Sequence, residues 1–106
     1  MKKEYFDDQG RLHREDGPAQ IFDTGEENWC FHGKLHRIGG PAVVRVDYFE
    51  YWVDGKLHRT DGPAREFVGP FSEYSEWHVD GKCFFEKKEF DRYICKKRIQ
   101  KLFHEA

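Results

Sequence analysis

Residues 55–64 read Gly55-Lys56-Leu57-His58-Arg59-Thr60-Asp61-Gly62-Pro63-Ala64. Nearly the same ten residues occur at 10–19 and 33–42, and a fourth copy begins at Gly81 and then departs from the pattern. The copies, each with the strand before it, are called units 1 to 4 in chain order. Their leading glycines, which are 23, 22 and 26 residues apart, are Gly10, Gly33, Gly55 and Gly81. A period of this length indicates one small supersecondary element repeated along the chain.

Two kinds of turn signal within the repeat predict β-hairpins. Asp54-Gly55 favours the positive φ angles of a two-residue hairpin turn, and the flanking segments 49–53 and 56–59 suit strands. Asp80-Gly81 repeats this signal. A second turn is predicted at Gly62-Pro63 and its equivalents, because proline lacks a backbone donor for a strand ladder.

An aromatic residue stands four positions before each leading glycine, and these residues are Phe6, Trp29, Tyr51 and Trp77. If 54–55 form the turn, Val53 pairs with Lys56 and Tyr51 lies opposite His58. The same count pairs the other aromatic residues, namely Phe6 with His13, Trp29 with His36, and Trp77 with Phe84. Stacked units would then align aromatic and imidazole rings in a column, which is a usual form of sheet stabilisation.

The C-terminal segment changes character after Phe85. Residues 86–104 carry apolar side chains at spacings that suit one stripe of an amphipathic helix; these are Phe90, Tyr93, Ile94, Ile99, Leu102 and Phe103. We expect this helix to cover the last open edge of the hairpins. The predicted organisation is a single domain, 1–106, with three and a half hairpin repeats in 1–85 and a capping helix in 86–104.

The composition suits one small intracellular domain. The chain has 106 residues, 17% of them aromatic, and a net charge of −2, which favours a folded protein with a thin aromatic core. No apolar run is long enough to span a bilayer or to form a secretory signal. The three cysteines are an odd number without zinc-ribbon spacing, so we expect free thiols and a cytoplasmic protein.

The pattern of an aromatic residue, a glycine four positions later, Lys-Leu-His and a second glycine resembles the MORN (membrane occupation and recognition nexus) repeat. Residues 29–40 and 51–62 carry the resemblance, and 6–17 carries it weakly. The longer His-Arg-x-x-Gly-Pro-Ala form looks like a variant found in small proteins of bacteriophages and large DNA viruses. The resemblance implies a mainly β fold, an elongated antiparallel sheet of repeated β-hairpins capped by a C-terminal α-helix. It also implies a binding surface without chemistry of its own, made to occupy a host component.

Three arginines form the sharpest candidate site, because they recur at one position of the repeat: Arg14, Arg37 and Arg59. A row of guanidinium groups suits carboxylates or phosphates of a partner. In the alternative, each arginine pairs with acids of its own unit, and the histidines before them (His13, His36 and His58) pack on the aromatic residues. Ile38-Gly39 lacks acids, so Arg37 is the member expected to be free for a partner.

Charge and exposed aromatics supply two further candidates. Residues 1–85 have 11 basic and 16 acidic side chains (−5), whereas 86–106 have seven and four (+3). The basic helix, including Lys96, Lys97 and Arg98, could meet an acidic protein, anionic lipid or nucleic acid, or be a solvated face. A pI near 6.3 argues against a DNA-duplex binder. Aromatic residues such as Trp52 either complete the core or favour protein contacts, including a homodimer.

The sequence predicts neither catalysis nor a metal or cofactor site for this chain. No nucleophile elbow, phosphate loop or His-Glu-x-x-His stretch occurs, and histidines displaced along a sheet do not converge on one metal ion. We therefore expect no catalytic residue, metal or cofactor. The leading hypothesis is a non-enzymatic, phage-encoded protein that binds and inhibits a host protein, such as a defence component. The alternatives are an anion or nucleotide binder using the His-Arg rows and, less favoured, anionic-membrane association through the basic helix.

Overall fold

The computed structural model describes residues 2–105, and it describes side chains as far as residue 102. The protein is mainly β, with antiparallel strands and one long C-terminal helix, as the sequence predicts. Its dimensions are 47 × 39 × 17 Å, so the molecule is a plate about as wide as it is long. The strands are β1 (Lys3–Glu4), β2 (Gln20–Ile21), β3 (Glu27–Asn28), β4 (Cys30–Phe31), β5 (Lys34–Leu35), β6 (Val43–Val44), β7 (Tyr48–Glu50), β8 (Trp52–Val53), β9 (Lys56–Leu57), β10 (Arg65–Phe67), β11 (Trp77–Val79) and β12 (Lys82–Phe84). A 3-10 helix follows β10 at Gly69–Tyr74, and helix α1 is Lys87–Glu105.

The strands form one six-stranded sheet and three two-stranded hairpins, where a single elongated sheet was expected. The large sheet has the order β1-β2-β3-β6-β7-β10, and the hairpins are β4–β5, β8–β9 and β11–β12. The division falls at an aromatic residue, because hydrogen bonding changes partner there. Asn28 pairs with Val43 in the large sheet, Trp29 N–H donates to Ala42 O at 2.6 Å, and Cys30 pairs with Leu35 in the hairpin.

The predicted register is confirmed in units 2 to 4, and in unit 2 the backbone N–H of His36 donates to Trp29 O at 3.0 Å. Val53 pairs with Lys56, and Trp77 pairs with Phe84. The backbone N–H of His58 donates to Tyr51 O at 2.9 Å, which also agrees with the prediction. Each two-residue turn places a non-glycine residue at positive φ before its glycine, and these residues are His32 (48°), Asp54 (49°) and Asp80 (52°).

The predicted pairing is wrong in unit 1. Phe6 bridges to Leu12, and His13 N–H donates to Tyr5 O at 2.9 Å. The turn of unit 1 is longer than those of units 2 to 4, since Asp7 N–H donates to Arg11 O across three intervening residues. Tyr5 therefore takes the place that Trp29 and Tyr51 hold in the later units.

Helix α1 begins one residue later than expected and packs on the last hairpin. Phe90 and Ile94 are buried with Val79, and Trp77, Phe84 and Tyr93 pack partly against them. The prediction of a single apolar stripe is wrong, because Ile99 and Leu102 are exposed. Ile99 comes five residues after Ile94, which places it about 140° around the helix. The side chains of Phe103 and His104 lie outside the described residues.

The cysteines carry free thiols, as expected. Cys30 is buried, and its burial raises the pKa of the thiol, whereas Cys83 and Cys95 are exposed. Within residues 2–105, no helix combines the length and apolar character needed to cross a membrane.

Asp7 closes the long turn of unit 1. Its Oδ1 accepts the backbone N–H groups of Gln9 (2.8 Å) and Arg11 (3.0 Å), and its Oδ2 lies 2.9 Å from Arg11 Nε and 2.8 Å from His32 Nδ1. The hydrogen bond with His32 is the largest cause, ahead of those with Arg11 and Gln9, that holds the pKa of Asp7 well below its usual range.

We expect Asp7→Asn to lower the melting temperature at pH 7. Because the pKa of Asp7 is lower in the folded than in the unfolded chain, its contribution is complete above about pH 4 and is lost as the pH falls. The difference in melting temperature between the wild type and Asp7→Asn should therefore narrow as the pH falls from about 4 to about 2. Asp8→Asn, at an exposed position of the same turn, is the control. A difference that stays constant over that range would contradict this assignment.

Candidate functional site

The three arginines of the predicted row lie on aromatic rings of their own units. Their Cζ atoms are 4.2 Å (Arg14 on Tyr5), 3.7 Å (Arg37 on Trp29) and 4.0 Å (Arg59 on Tyr51) from the ring centroids. A guanidinium this close to a ring face makes a cation–π contact. The expectation that the histidines pack on these aromatic rings is wrong, because the longer arginine side chain reaches the ring instead.

The Gly-Pro-Ala segment holds each guanidinium in place. The Nη1 group of each arginine donates to the carbonyl of the proline four residues later, at 3.3 Å for Pro18, 3.1 Å for Pro41 and 3.2 Å for Pro63. A Cβ atom on the preceding glycine would lie 2.6 to 2.7 Å from the arginine Cζ, so a larger residue there would displace the guanidinium from this pose. The alanine that follows is fully buried in all three units, and these residues are Ala19, Ala42 and Ala64.

The histidines join one unit to the next. Nδ1 of His13 accepts the backbone N–H of His32 (2.9 Å), Nδ1 of His36 accepts that of Asp54 (3.0 Å), and Nδ1 of His58 accepts that of Asp80 (3.1 Å). The N–H groups of the neighbouring arginines donate to the next hairpin at 3.0 to 3.1 Å, with Cys30, Trp52 and His78 as acceptors. The four leading glycines occupy the hairpin turns with φ between 77° and 83°. The His-Arg positions thus link successive hairpins.

Two of the three arginines also bind a carboxylate of their own unit. Arg14 Nε donates to Asp16 at 3.3 Å, and Arg59 Nε donates to Asp61 at 2.8 Å. The hydrogen bond from Arg59 lowers the pKa of Asp61. Among the described residues, Arg37 has no carboxylate partner, because Ile38-Gly39 stand where the other units carry Glu15-Asp16 and Thr60-Asp61. Ile38 is 75% exposed.

A groove runs between the loops of units 2 and 3, and we call it the inter-loop groove. It measures about 400 Å³ and is lined by Arg37, Ile38, Gly39 and Gly40 on one side and by residues that include Tyr51, His58 and Asp61 on the other. Apolar and charged side chains thus face one another across an open surface depression.

A second groove runs between the loop of unit 3 and helix α1, and we call it the helix groove. It measures about 640 Å³, and its lining includes Thr60, Asp61, Phe90, Ile94 and Arg98. Thr60 and Asp61 line both grooves. The loops 37–40 and 59–63 together with the segment 91–98 of α1 therefore form one edge of the molecule, which we call the loop edge.

The other predicted contact residues lie elsewhere or are engaged within the chain. Arg14 lines neither groove, and Trp52 is half-buried with its Nε1 donating to Glu50 at 3.0 Å. Lys97 Nζ lies 2.8 Å from Asp80 Oδ2, which raises the pKa of Lys97, while Lys96 is exposed. Sequence reasoning did not select Thr60, whose position depends on how α1 packs.

In the part of the chain that the structure describes, no three His, Cys, Asp or Glu side chains are placed to hold a metal ion.

Comparison with protein-family models, with curated proteins and with solved structures finds no match in any of the three.

Proposed function

We propose that this chain is a non-enzymatic interaction module that binds a protein partner along the loop edge. The observation that carries the proposal is the pair of open grooves that meet at Thr60 and Asp61. Arg37 and Arg98 bring positive charge to this edge, and Ile38 brings an exposed apolar side chain. Arginine beside apolar surface is a typical composition of protein interfaces.

The architecture that we propose for this module is MORN-like. The sequence repeat supports this proposal, together with the equivalent arginine, proline and histidine contacts in units 1 to 3. Each unit hydrogen-bonds to the next through its His-Arg pair, which makes a rigid scaffold. Such a scaffold can present loops to a partner at little entropic cost.

We further propose that the chain is phage-encoded and inhibits a host protein, such as a defence component, in the host cytoplasm. This part of the proposal is supported by the His-Arg-x-x-Gly-Pro-Ala pattern described above. A small scaffold that occupies a functional surface of its target inhibits it by exclusion, and no chemical step is needed.

Capture from bacterial lysate tests the proposal. We expect the immobilised wild-type protein to retain one protein at near-equal stoichiometry, and Ile38→Glu to retain at least tenfold less. Val46→Glu is the matched control, because Val46 is as exposed as Ile38 (78% against 75%) and lies on the turn between β6 and β7. The captured protein is then purified, and its dissociation constants for all three baits are measured by calorimetry.

Equal binding by the three baits, or selective loss with Val46→Glu, would contradict a partner site on the loop edge. Cosedimentation with anionic liposomes that Ile38→Glu does not weaken would favour the membrane alternative through α1. The circular dichroism spectra and melting temperatures of the baits must match, so that a loss of partner binding can be assigned to the changed surface and not to unfolding.

A further inference from the structure

We infer that Arg37 binds a carboxylate group of the partner, from an aspartate or glutamate side chain, in the position that Asp16 and Asp61 occupy in the neighbouring units. This inference rests on the proposed function, because it specifies the partner chemistry of the same edge. The repeat itself provides the comparison, since the three equivalent arginines share their ring and proline contacts while Arg37 alone, among the described residues, lacks a carboxylate partner.

Arg37 is held in the same pose as Arg14 and Arg59. Its Nη1 donates to Pro41 O at 3.1 Å, and its Cζ lies 3.7 Å from the Trp29 ring centroid. The space beside the following glycine is filled equally, because a Cβ atom added to it would lie 2.6 Å from the arginine Cζ at Gly40 and 2.7 Å at Gly62. In units 1 and 3 the Nε group of this arginine donates to an aspartate. In unit 2 the arginine is positioned alike, and the described residues supply no such acceptor.

The surroundings favour a carboxylate over a phosphate. The acceptor that fills the equivalent place is a single carboxylate oxygen, at 2.8 Å in unit 3. Asp61 lines the same groove as Arg37, and its negative charge opposes a doubly charged phosphate more than a singly charged carboxylate. The exposed side chain of Ile38 offers apolar contact beside the guanidinium. The partner segment is therefore expected to carry an acidic side chain next to an apolar one.

The Arg37 side chain is preorganised for binding a carboxylate. An arginine usually loses rotamer freedom when it engages an acidic group, but stacking on Trp29 and the hydrogen bond to Pro41 already fix this one. A charge-assisted hydrogen bond that a half-buried, oriented guanidinium donates to a carboxylate is stronger than one from a mobile surface lysine.

Nuclear magnetic resonance of the full chain tests the site directly. The probe is N-acetyl-aspartate N-methylamide, added to protein labelled with ¹⁵N, and the signals are the Nε–H groups of the arginines. We expect a saturable shift of the Arg37 signal and no saturable shift of the Arg14 and Arg59 signals. Inorganic phosphate, as a second probe, should shift Arg37 only at higher concentration. No shift at Arg37, an equal shift at all three arginines, or tighter binding of phosphate would overturn the inference.

A double variant uses the repeat as its own control. Ile38→Thr with Gly39→Asp makes residues 37–40 identical to 59–62, so that an internal carboxylate fills the position. We expect loss of the probe response and at least a tenfold loss of partner affinity, whereas Ile38→Thr alone keeps the probe response. Gly39 has φ of +86°. If aspartate there lowers stability, Arg37→Gln is the second variant, with the same expected losses.

The two proposals fail in different ways. Partner binding that the double variant and Arg37→Gln leave unchanged would overturn the carboxylate inference while the interaction module stands. Probe binding at Arg37 without capture of any protein would overturn the proposed function and leave the carboxylate site in place.

Discussion

Replacing Phe90 by alanine is expected to lower the free energy of unfolding by about 3 to 4 kcal/mol, the usual cost of deleting a buried phenylalanine side chain. Phe90 is 3% exposed and lies with Val79 and Ile94 at the centre of the contact between α1 and the last hairpin. Its ring centroid is 6.1 Å from that of Phe84 and 6.5 Å from that of Trp77. A small domain has about 5 to 15 kcal/mol of stability in total, so this loss is a large share.

Phe85→Ala is the matched control, because Phe85 is 90% exposed and lies just before the same helix. Its substitution should change stability by less than about 0.5 kcal/mol. Urea denaturation followed by circular dichroism measures both variants. If Phe90→Ala is too unstable to purify, Phe90→Leu should still show a loss of about 1 kcal/mol. Equal effects at positions 85 and 90 would contradict the packing of α1 on β11 and β12.

The packing of α1 on the last hairpin also forms part of the candidate site. The helix groove exists only while α1 lies beside the loop of unit 3, since Phe90 and Ile94 line it together with Thr60. A variant that loosens α1 should weaken a partner that spans both grooves. Binding defects of core variants therefore have to be compared with their stability before they are assigned to contacts.

Local turn chemistry explains why much of the hairpin register was predictable. Asp54-Gly55 and Asp80-Gly81 adopt the positive φ angles that this dipeptide favours, and the pairing follows from them. The register predicted for unit 1 was wrong because the count started from Gly10 and assumed a two-residue turn. Asp7 instead stabilises a longer turn with its own side chain, and the spacing of the motif contains no sign of that extra residue.

The direction of side chains was less predictable than the position of strands. The sequence marks His58-Arg59 as a repeated pair, but it does not say which side chain reaches the ring of Tyr51. In the structure Arg59 stacks on the Tyr51 ring, and the His58 imidazole accepts a hydrogen bond from the turn of the next hairpin. The helix shows the same difficulty, because an apolar residue such as Ile99 can belong to a second face that only packing reveals.

The candidate site was also predictable only in part. The departure of Ile38-Gly39 from the repeat is visible in the sequence, and it identifies Arg37 by comparison of the units. The meeting of two grooves at Thr60 is a result of the packing of α1 against the loop of unit 3, and no local pattern encodes it.

Gly62→Ala is expected to destabilise the protein by about 2 kcal/mol through overpacking of the Arg59 guanidinium. A Cβ at this position would lie 2.7 Å from Arg59 Cζ, and the φ of Gly62 lies outside the left-handed region. The guanidinium would have to shift, which would disturb its contacts with the Tyr51 ring, Pro63 O and Asp61. The cost therefore comes from one displaced side chain and not from the backbone.

A double-mutant cycle separates these two causes. In the Arg59→Ala background the clash is gone, and Gly62→Ala should become neutral or stabilise by about 0.5 kcal/mol, because alanine restricts the unfolded chain more than glycine does. The four proteins are compared by urea unfolding at one pH. A penalty for Gly62→Ala that is the same with and without Arg59 would show that the glycine is required by its backbone conformation. A penalty that disappears or changes sign without Arg59 would show that glycine occurs at this position because the arginine three residues before it folds back over it. The same arrangement orients Arg37 at the loop edge.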